Sequence, residues 1–346
     1  MSLTLESQLL RKISIEINNE IRKQFSHRTT LIKESKQRAY QVVNNELVSL
    51  YWQVGEYVSH HVASKTWGKS VVQELANFIQ KSEPNIIGFS SQNIWRMKQF
   101  YETYKDSQKL STLLREISWT NHLFIIGLRT PEEREFYLRM SIKERWSSRE
   151  LKRQINSSYF ERVMISNEKL SSQVRVLPQD ITDSFKDSYI LEILNLPEQH
   201  KEKDLRKAIA QNITKFLLEF GRDYAFMGEE YPVQVGDQDF AIDLVFYNRS
   251  LNCMVAIELK IEKFKPEHLG QLNFYLEALD RDVKKNHENP SIGILLCNGK
   301  NDTVVEYALS RTLSPTLVAD YQTKLPDKKL LQAKWEEILE GLRVVE

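Results

Sequence analysis

A chain of 346 residues with 41% hydrophobic and 27% charged residues is long enough for two domains, each with its own buried core, and its composition is ordinary for a globular protein. No apolar run reaches membrane-spanning length, and the start Met1-Ser-Leu-Thr-Leu-Glu6 lacks the charged and apolar regions of a signal peptide, so a cytoplasmic location without membrane contact is expected. The net charge of +1 conceals an asymmetry, because residues 1–170 hold 26 Lys+Arg against 18 Asp+Glu, or +8, and residues 171–346 hold 22 against 29, or −7. A basic half suits a polyanion, and an acidic half concentrates carboxylates that can take cations.

Residues 1–165 read as a helical domain. Gln41 to Val62 carries Val43, Leu47, Leu50, Tyr51, Val54, Val58 and Val62 at helical spacing, and a second helix is expected from Ser70 to Gln80. A turn over residues 83–91 then leads to a helix capped by Ser90 or Ser91 and carrying Ile94, Trp95, Met97, Phe100 and Tyr101. Two helices, a turn and a capped helix follow the order of a helix-turn-helix. On that last helix Arg96, Lys98 and Gln99 would face DNA, Arg and Gln reading base edges and Lys meeting phosphate. A plain helical bundle with a polar outer face is the alternative.

Thr130-Pro131 followed by three Glu within four residues marks a further helix start, and another helix is expected from Trp146 to about Phe160. Residues 166–187, with Ser171-Ser172, Pro178 and weak periodicity, read as a linker.

From residue 188 to 346 the pattern changes to an α/β domain. A helix near Glu202–Phe220 precedes three strands within Tyr224–Ile261, a helix near Pro266–Leu279, the strand Ile292–Cys297 and further helix at the C-terminus. The order αβββαβ predicts a mixed sheet with helices on both faces. Cys253 and Cys297 lie at strand edges in no metal-ligand or redox spacing, so both read as small buried residues, and neither supports a disulfide framework or a zinc site.

The chemistry lies in Asp239-Phe-Ala-Ile-Asp243-Leu-Val-Phe-Tyr-Asn248 and Met254-Val-Ala-Ile-Glu258-Leu-Lys260-Ile261, where two carboxylates and a lysine interrupt apolar strands. Ionised groups there need a compensating partner. Strand alternation sets Glu258 and Lys260 on one face and Ile257 and Leu259 on the other. The turn-prone Asn248–Asn252 connection predicts an antiparallel hairpin that brings Asp243 within a residue or two of Glu258. A divalent cation between them would remove their repulsion, and hard oxygen donors favour Mg2+ or Mn2+. Lys260 would then orient a water or stabilise charge developing on a phosphate.

Ile242-Asp243, Glu258-Leu-Lys260 and Gln271-Leu-Asn-Phe-Tyr275 together resemble the PD-(D/E)XK nuclease superfamily, including the Gln-x-x-x-Tyr element of its RecB-like members. More closely, Phe240–Tyr247, Ile257–Lys260, Phe264–Glu267, Gly270–Leu276 and His287–Gly293 resemble the bacterial YhcG-type family, over nearly the whole chain. The resemblance implies a restriction-endonuclease-like fold behind a helical N-terminal domain. It also implies that Asp243, Glu258 and the carbonyl of Leu259 bind metal, that Lys260 is the catalytic lysine, and that Gln271 and Tyr275 contact the site or the DNA backbone. Several superfamily members add an acidic residue from the first helix. Glu202 is preferred here, in phase with Ile209, Ile213, Phe216 and Phe220, over Glu219, which is expected on the polar side of the same helix.

The function expected is Mg2+-dependent hydrolysis of DNA, in defence against foreign DNA or in recombination and repair. RNA as substrate and a catalytically silent DNA-binding or assembly protein are the alternatives. A homo-oligomer is expected, with Trp95, Tyr101 and Tyr104 available for packing or an interface.

Overall fold

The computed structural model describes residues 5–64, 68–165, 169–171, 174, 185–197 and 199–343. Most of the expected linker, namely 166–168, 172–173 and 175–184, lies outside the described residues. The chain divides into two compact units, residues 1–148 and 149–346.

The first unit is helical: α1 Leu5–Ala63, α2 Lys69–Ser82, α3 Ser91–Tyr104, α4 Trp119–Ile125 and α5 Pro131–Lys143. The caps form as the sequence predicts. Ser90 Oγ accepts the Asn93 N–H at 3.3 Å, and Thr130 Oγ1 accepts the Glu133 N–H at 3.1 Å ahead of Pro131. The helix expected over 41–62 is the end of a 59-residue helix. Tyr51 and Val58 on α1, Val72 and Ala76 on α2, and Ile94 and Met97 on α3 form one buried cluster.

α1 and α3 approach so closely at Gly55 that an added Cβ would stand 2.1 Å from the Met97 carbonyl oxygen. Backbone cannot yield as a side-chain tip can. Gly55→Ala is therefore expected to cost about 1–3 kcal/mol, measured as an earlier thermal transition of the helical unit, and an unchanged midpoint would show that the helices separate freely.

The helix expected from Trp146 to Phe160 is two helices, α6 Ser148–Asn156 and α7 Tyr159–Ile165. Ser158 sits at φ 53° between them, a left-handed conformation that a continuing α-helix excludes. Both belong mainly to the second compact unit, which begins at residue 149.

In the second unit the helix expected at 202–220 is likewise broken, into α8 Glu202–Gln211 and α9 Ile213–Phe220, with Asn212 between. Strands β3 Tyr224–Val235, β4 Gln238–Asn248 and β5 Cys253–Lys260 form an antiparallel meander. After α10 His268–Ala278, strand β6 Ile292–Cys297 pairs in parallel with β5. α11 Asp302–Leu309 then leads to β7 Thr316–Gln322, parallel to β6, and α12 Lys328–Arg343 follows. Strand β7 was not expected from the sequence. Two short strands, β1 Lys169–Leu170 and β2 Ser188–Ile190, add to β7, giving the order β1-β7-β6-β5-β4-β3 with β2 beside β7. This is the restriction-endonuclease-like αβββαβ mixed sheet.

Helices cover both faces because alternate strand residues are apolar on both sides. Val255, Ile257 and Leu259 pack with Leu205 and Ile209 of α8 and Phe216 of α9, whereas Met254 and Ala256 pack with Leu272 and Leu276 of α10. Glu258 continues the second set, so the α10 side receives the charge. Both cysteines are buried free thiols, as expected.

Candidate active site

The β4–β5 ladder runs from Asn248–Cys253 to Leu244–Ile257. Asp243 and Glu258 therefore stand one step past its last pair, where the two strands part. The hairpin anticipated from the Asn248–Asn252 connection thus brings the two carboxylates together. The Leu259 N–H donates to Asp243 Oδ2 at 3.0 Å, tying Asp243 to the backbone beside Glu258.

Glu258 is 2% exposed, and its Oε2 has no hydrogen-bond partner. Lys260 Nζ donates to its Oε1 at 2.9 Å, so one ammonium serves one oxygen. Burial, and then the charge of Asp243, push the Glu258 carboxyl up to about 7 against the opposing pull of Lys260. Lys260 is shifted upward: burial disfavours its charge, but the hydrogen bond to Glu258 and the charges of Glu258, Glu202 and Asp243 outweigh it. Glu202, at the first turn of α8, lies 3.9 Å from Lys260 Nζ.

Glu219 is elsewhere and is not on a polar side. It is fully buried, its Oε2 accepts from Arg153 Nη2 at 2.7 Å, and its Oε1 accepts the Ile190 N–H at 3.2 Å. Lys186 and Arg162 stand 3.2 and 3.7 Å from Oε1. The break at Asn212 separates Glu202 from the helical phase of Ile213, Phe216 and Phe220. Glu202 reaches the strand ends because the face of α8 alone, with Leu205 and Ile209 buried, sets it there.

Sequence reasoning missed Arg206. Its Nη1 donates to Asp243 Oδ1 at 2.7 Å and its Nη2 to Glu230 Oε1 at 2.6 Å. The signal was present: Arg206 is four residues after Glu202, so one helix face carries both toward the strands. Gln271 Nε2 donates to the Tyr275 hydroxyl at 2.9 Å, and Tyr275 is buried on α10. Burial raises the Tyr275 hydroxyl above its ordinary value, and the nearby charges of Glu258 and Asp243 act in the same direction against Gln271.

Among the described residues no three His, Cys, Asp or Glu side chains form a ready metal-ligand group. The pair at the strand fork still fits a hard divalent cation, because a buried carboxylate oxygen without a donor, beside a second carboxylate, is the deficit such an ion fills. Asp243, Glu258 and the Leu259 carbonyl would hold it.

The three residues expected to face DNA differ in availability. Lys98 is paired with Glu102 at 2.6 Å, and Gln99 Nε2 donates to the Ile126 carbonyl at 3.3 Å. Arg96 is exposed. α2 and α3 are separated by residues 83–90, longer than the three- or four-residue turn of a helix-turn-helix. Tyr104 is core, Tyr101 donates to Glu56 at 3.2 Å, and Trp95 packs half-buried on the α1–α3 cluster, so these aromatics serve intramolecular packing.

Residues 182–336 match the model of the YhcG PDDEXK nuclease domain, and residues 27–162 match that of the DUF1016 N-terminal domain. The chain is 26% identical over 341 residues to the Escherichia coli (strain K12) protein named "Putative nuclease YhcG", covering 87% of this chain and 90% of that one. Among solved structures, it is similar to a repair endonuclease from Pyrococcus abyssi (17% identity, TM-score 0.26, 38% of this chain and 50% of that one). It is also similar to the apo form of EndoMS (15% identity, TM-score 0.24, 38% of this chain and 49% of that one). The chain thus spans about half the length of these two solved chains. Among the described residues no helix is long and apolar enough to cross a membrane.

Proposed function

We propose, from the matches of residues 182–336 to the YhcG PDDEXK nuclease domain and of residues 27–162 to the DUF1016 N-terminal domain, that the chain hydrolyses phosphodiester bonds of DNA with Mg2+ or Mn2+ held by Asp243, Glu258 and the Leu259 carbonyl. The observation that carries this is the buried, unpartnered Oε2 of Glu258 beside Asp243. A divalent ion held by these residues would supply Lewis acidity. The protein's own groups do the rest. Lys260, fixed by Glu258 and close to Glu202, places an ammonium where negative charge develops on the phosphate. Tyr275 and Gln271, paired on α10, offer a hydroxyl and an amide to the DNA backbone.

The basic charge of residues 1–170 supports DNA binding by the helical unit, with Arg96 on its exposed surface. Cutting both strands with one site per chain calls for a second copy, hence a homo-oligomer. A cytoplasmic role in defence against foreign DNA or in recombination and repair accords with this chemistry, and RNA shares the same site requirements.

The second reading, a catalytically silent DNA-binding protein, draws support from Arg206, whose guanidinium already neutralises Asp243. Purified protein is therefore incubated with plasmid and linear DNA, with Mg2+ and with chelator. Wild type is expected to cut only with the metal, and Asp243→Ala and Lys260→Ala to lose on the order of 10²–10³-fold in rate. Equal rates in all three proteins would sink the nuclease assignment, and no cleavage with intact DNA binding would establish the silent form.

A further inference from the structure

The helical unit contains a cavity of about 260 Å³ between the α1 segment 48–53 and residues 100–115. Its buried lining is apolar and aromatic: Val48, Phe100, Tyr104 and Leu114. Trp52, half-buried, adds a large ring braced edge-on by Phe100 at 5.7 Å and by Tyr101 at 5.0 Å. The exposed lining is different in kind. It includes the cations Lys105 and Arg115 and the neutral hydrogen-bonding Gln53, Gln108 and Ser111, and among the described residues no carboxylate lines the cavity.

We infer that this cavity takes one unpaired nucleotide of a DNA strand, its base against Trp52 and its phosphate at Lys105 and Arg115. Three features select that ligand. The volume falls below the ~300 Å³ at which pockets for drug-sized ligands begin, which suits a single planar ring system. An aromatic wall with apolar depth is what a base released from its stack requires. Two cations among the lining residues, in the basic half of the chain, match an anion attached to that ring. The free nucleoside phosphate shares this chemistry, but it lacks the neighbouring phosphates that the +8 charge of residues 1–170 would also attract. The site lies in a different unit from Asp243 and Glu258 and does not use them.

The choice of DNA rests on the nuclease assignment, and the test is arranged to separate the two. Binding of the full chain to a ten-nucleotide single strand carrying 2-aminopurine is measured in chelator, which removes any need for the chain to cut. Duplex of the same length and free deoxynucleoside monophosphate are the comparison ligands. The single strand is expected to bind at least tenfold more tightly than the other two, with quenching of the 2-aminopurine. Trp52→Leu, Ser111→Trp at the exposed mouth, and the double substitution Lys105→Ala/Arg115→Ala are each expected to weaken that binding about tenfold or more. The last two change exposed side chains, so they decide the matter even where Trp52→Leu impairs folding.

Unchanged affinity and quenching in the mouth variants would overturn the inference, as would a mononucleotide binding as tightly as the strand. A chain that binds this way but never cuts DNA would uphold the cavity and remove the nuclease assignment. Normal cutting with no effect of the mouth variants on binding would do the reverse.

Discussion

Glu258→Gln is expected to eliminate DNA cleavage while making the metal-free protein more stable at neutral and alkaline pH. The two effects share one cause, a carboxylate buried beside Asp243 with only one of its oxygens partnered. The amide still accepts from Lys260 but cannot carry the charge that a cation needs, so the rate should fall on the order of 10³-fold. The stability change follows from proton linkage. The carboxyl has an ordinary value of 4.5 and titrates near 7 in the fold, so between these pH values the folded chain holds a proton that the unfolded chain has lost. Stability from this group is therefore complete below about 4.5 and declines as pH rises through 7, by on the order of 3 kcal/mol. Melting curves in chelator at pH 5 and pH 8 should show wild type losing more stability than Glu258→Gln. A variant that melts below wild type at pH 8, or that still cuts, would contradict the assignment of Glu258 as a strained ligand.

The second large effect is on stability alone. Glu219 is surrounded by Arg153, Arg162 and Lys186, and Arg153 also reaches Glu150 at 2.9 Å and Glu192 at 3.2 Å. Burial alone would raise the Glu219 carboxyl, but the charges of Lys186, Arg162 and Arg153 prevail and hold it down to about 2. Because this folded value lies below the ordinary 4.5, its contribution is complete above about 4.5 and is lost as pH falls toward 2. Glu219→Ala leaves three cations around an empty centre and should cost about 3–5 kcal/mol. For a unit of this size that lowers the melting midpoint by roughly 6–20 °C. A shift under about 2 °C would show that water replaces the carboxylate without penalty. Lys260 and Glu258 do not touch this network, so residual folded Glu219→Ala should cut DNA at the wild-type rate per folded molecule.

These two glutamates also show where sequence reasoning succeeds and where it stops. Glu258 was legible because alternation on β5 isolates it among apolar residues, and a hairpin turn at residues 249–252 leaves few registers for Asp243. Glu219 was misplaced because the helical phase was carried through Asn212, where the helix breaks, so its apparent polar position turned inward. The three cations that accept it come from residues 153, 162 and 186, distant in sequence, and no local spacing announces them. Arg206 was missed for a related reason. Its partner Asp243 lies on another element, and only the packing of α8 against the strand ends brings the two within 2.7 Å. Helical spacing predicts Lys98 and Gln99 on α3 to face DNA, yet Glu102 and the Ile126 carbonyl occupy their polar ends.

By itself the sequence determined the helical and α/β halves, the capped helix starts at Ser90 and Thr130, the αβββαβ order and the Asp243, Glu258 and Lys260 set. Each of these depends on periodicity, capping or alternation, which act over a few residues and so are written locally. Only the tertiary structure decided that α6 and α7 pack mainly with the second unit, that β7 extends the sheet, that Glu202 rather than Glu219 approaches Lys260, and that Arg206 neutralises Asp243. Those are outcomes of which surfaces bury together and which charges must then be compensated. Such compensation is a property of three-dimensional neighbours, because the cost of a buried charge depends on every group around it.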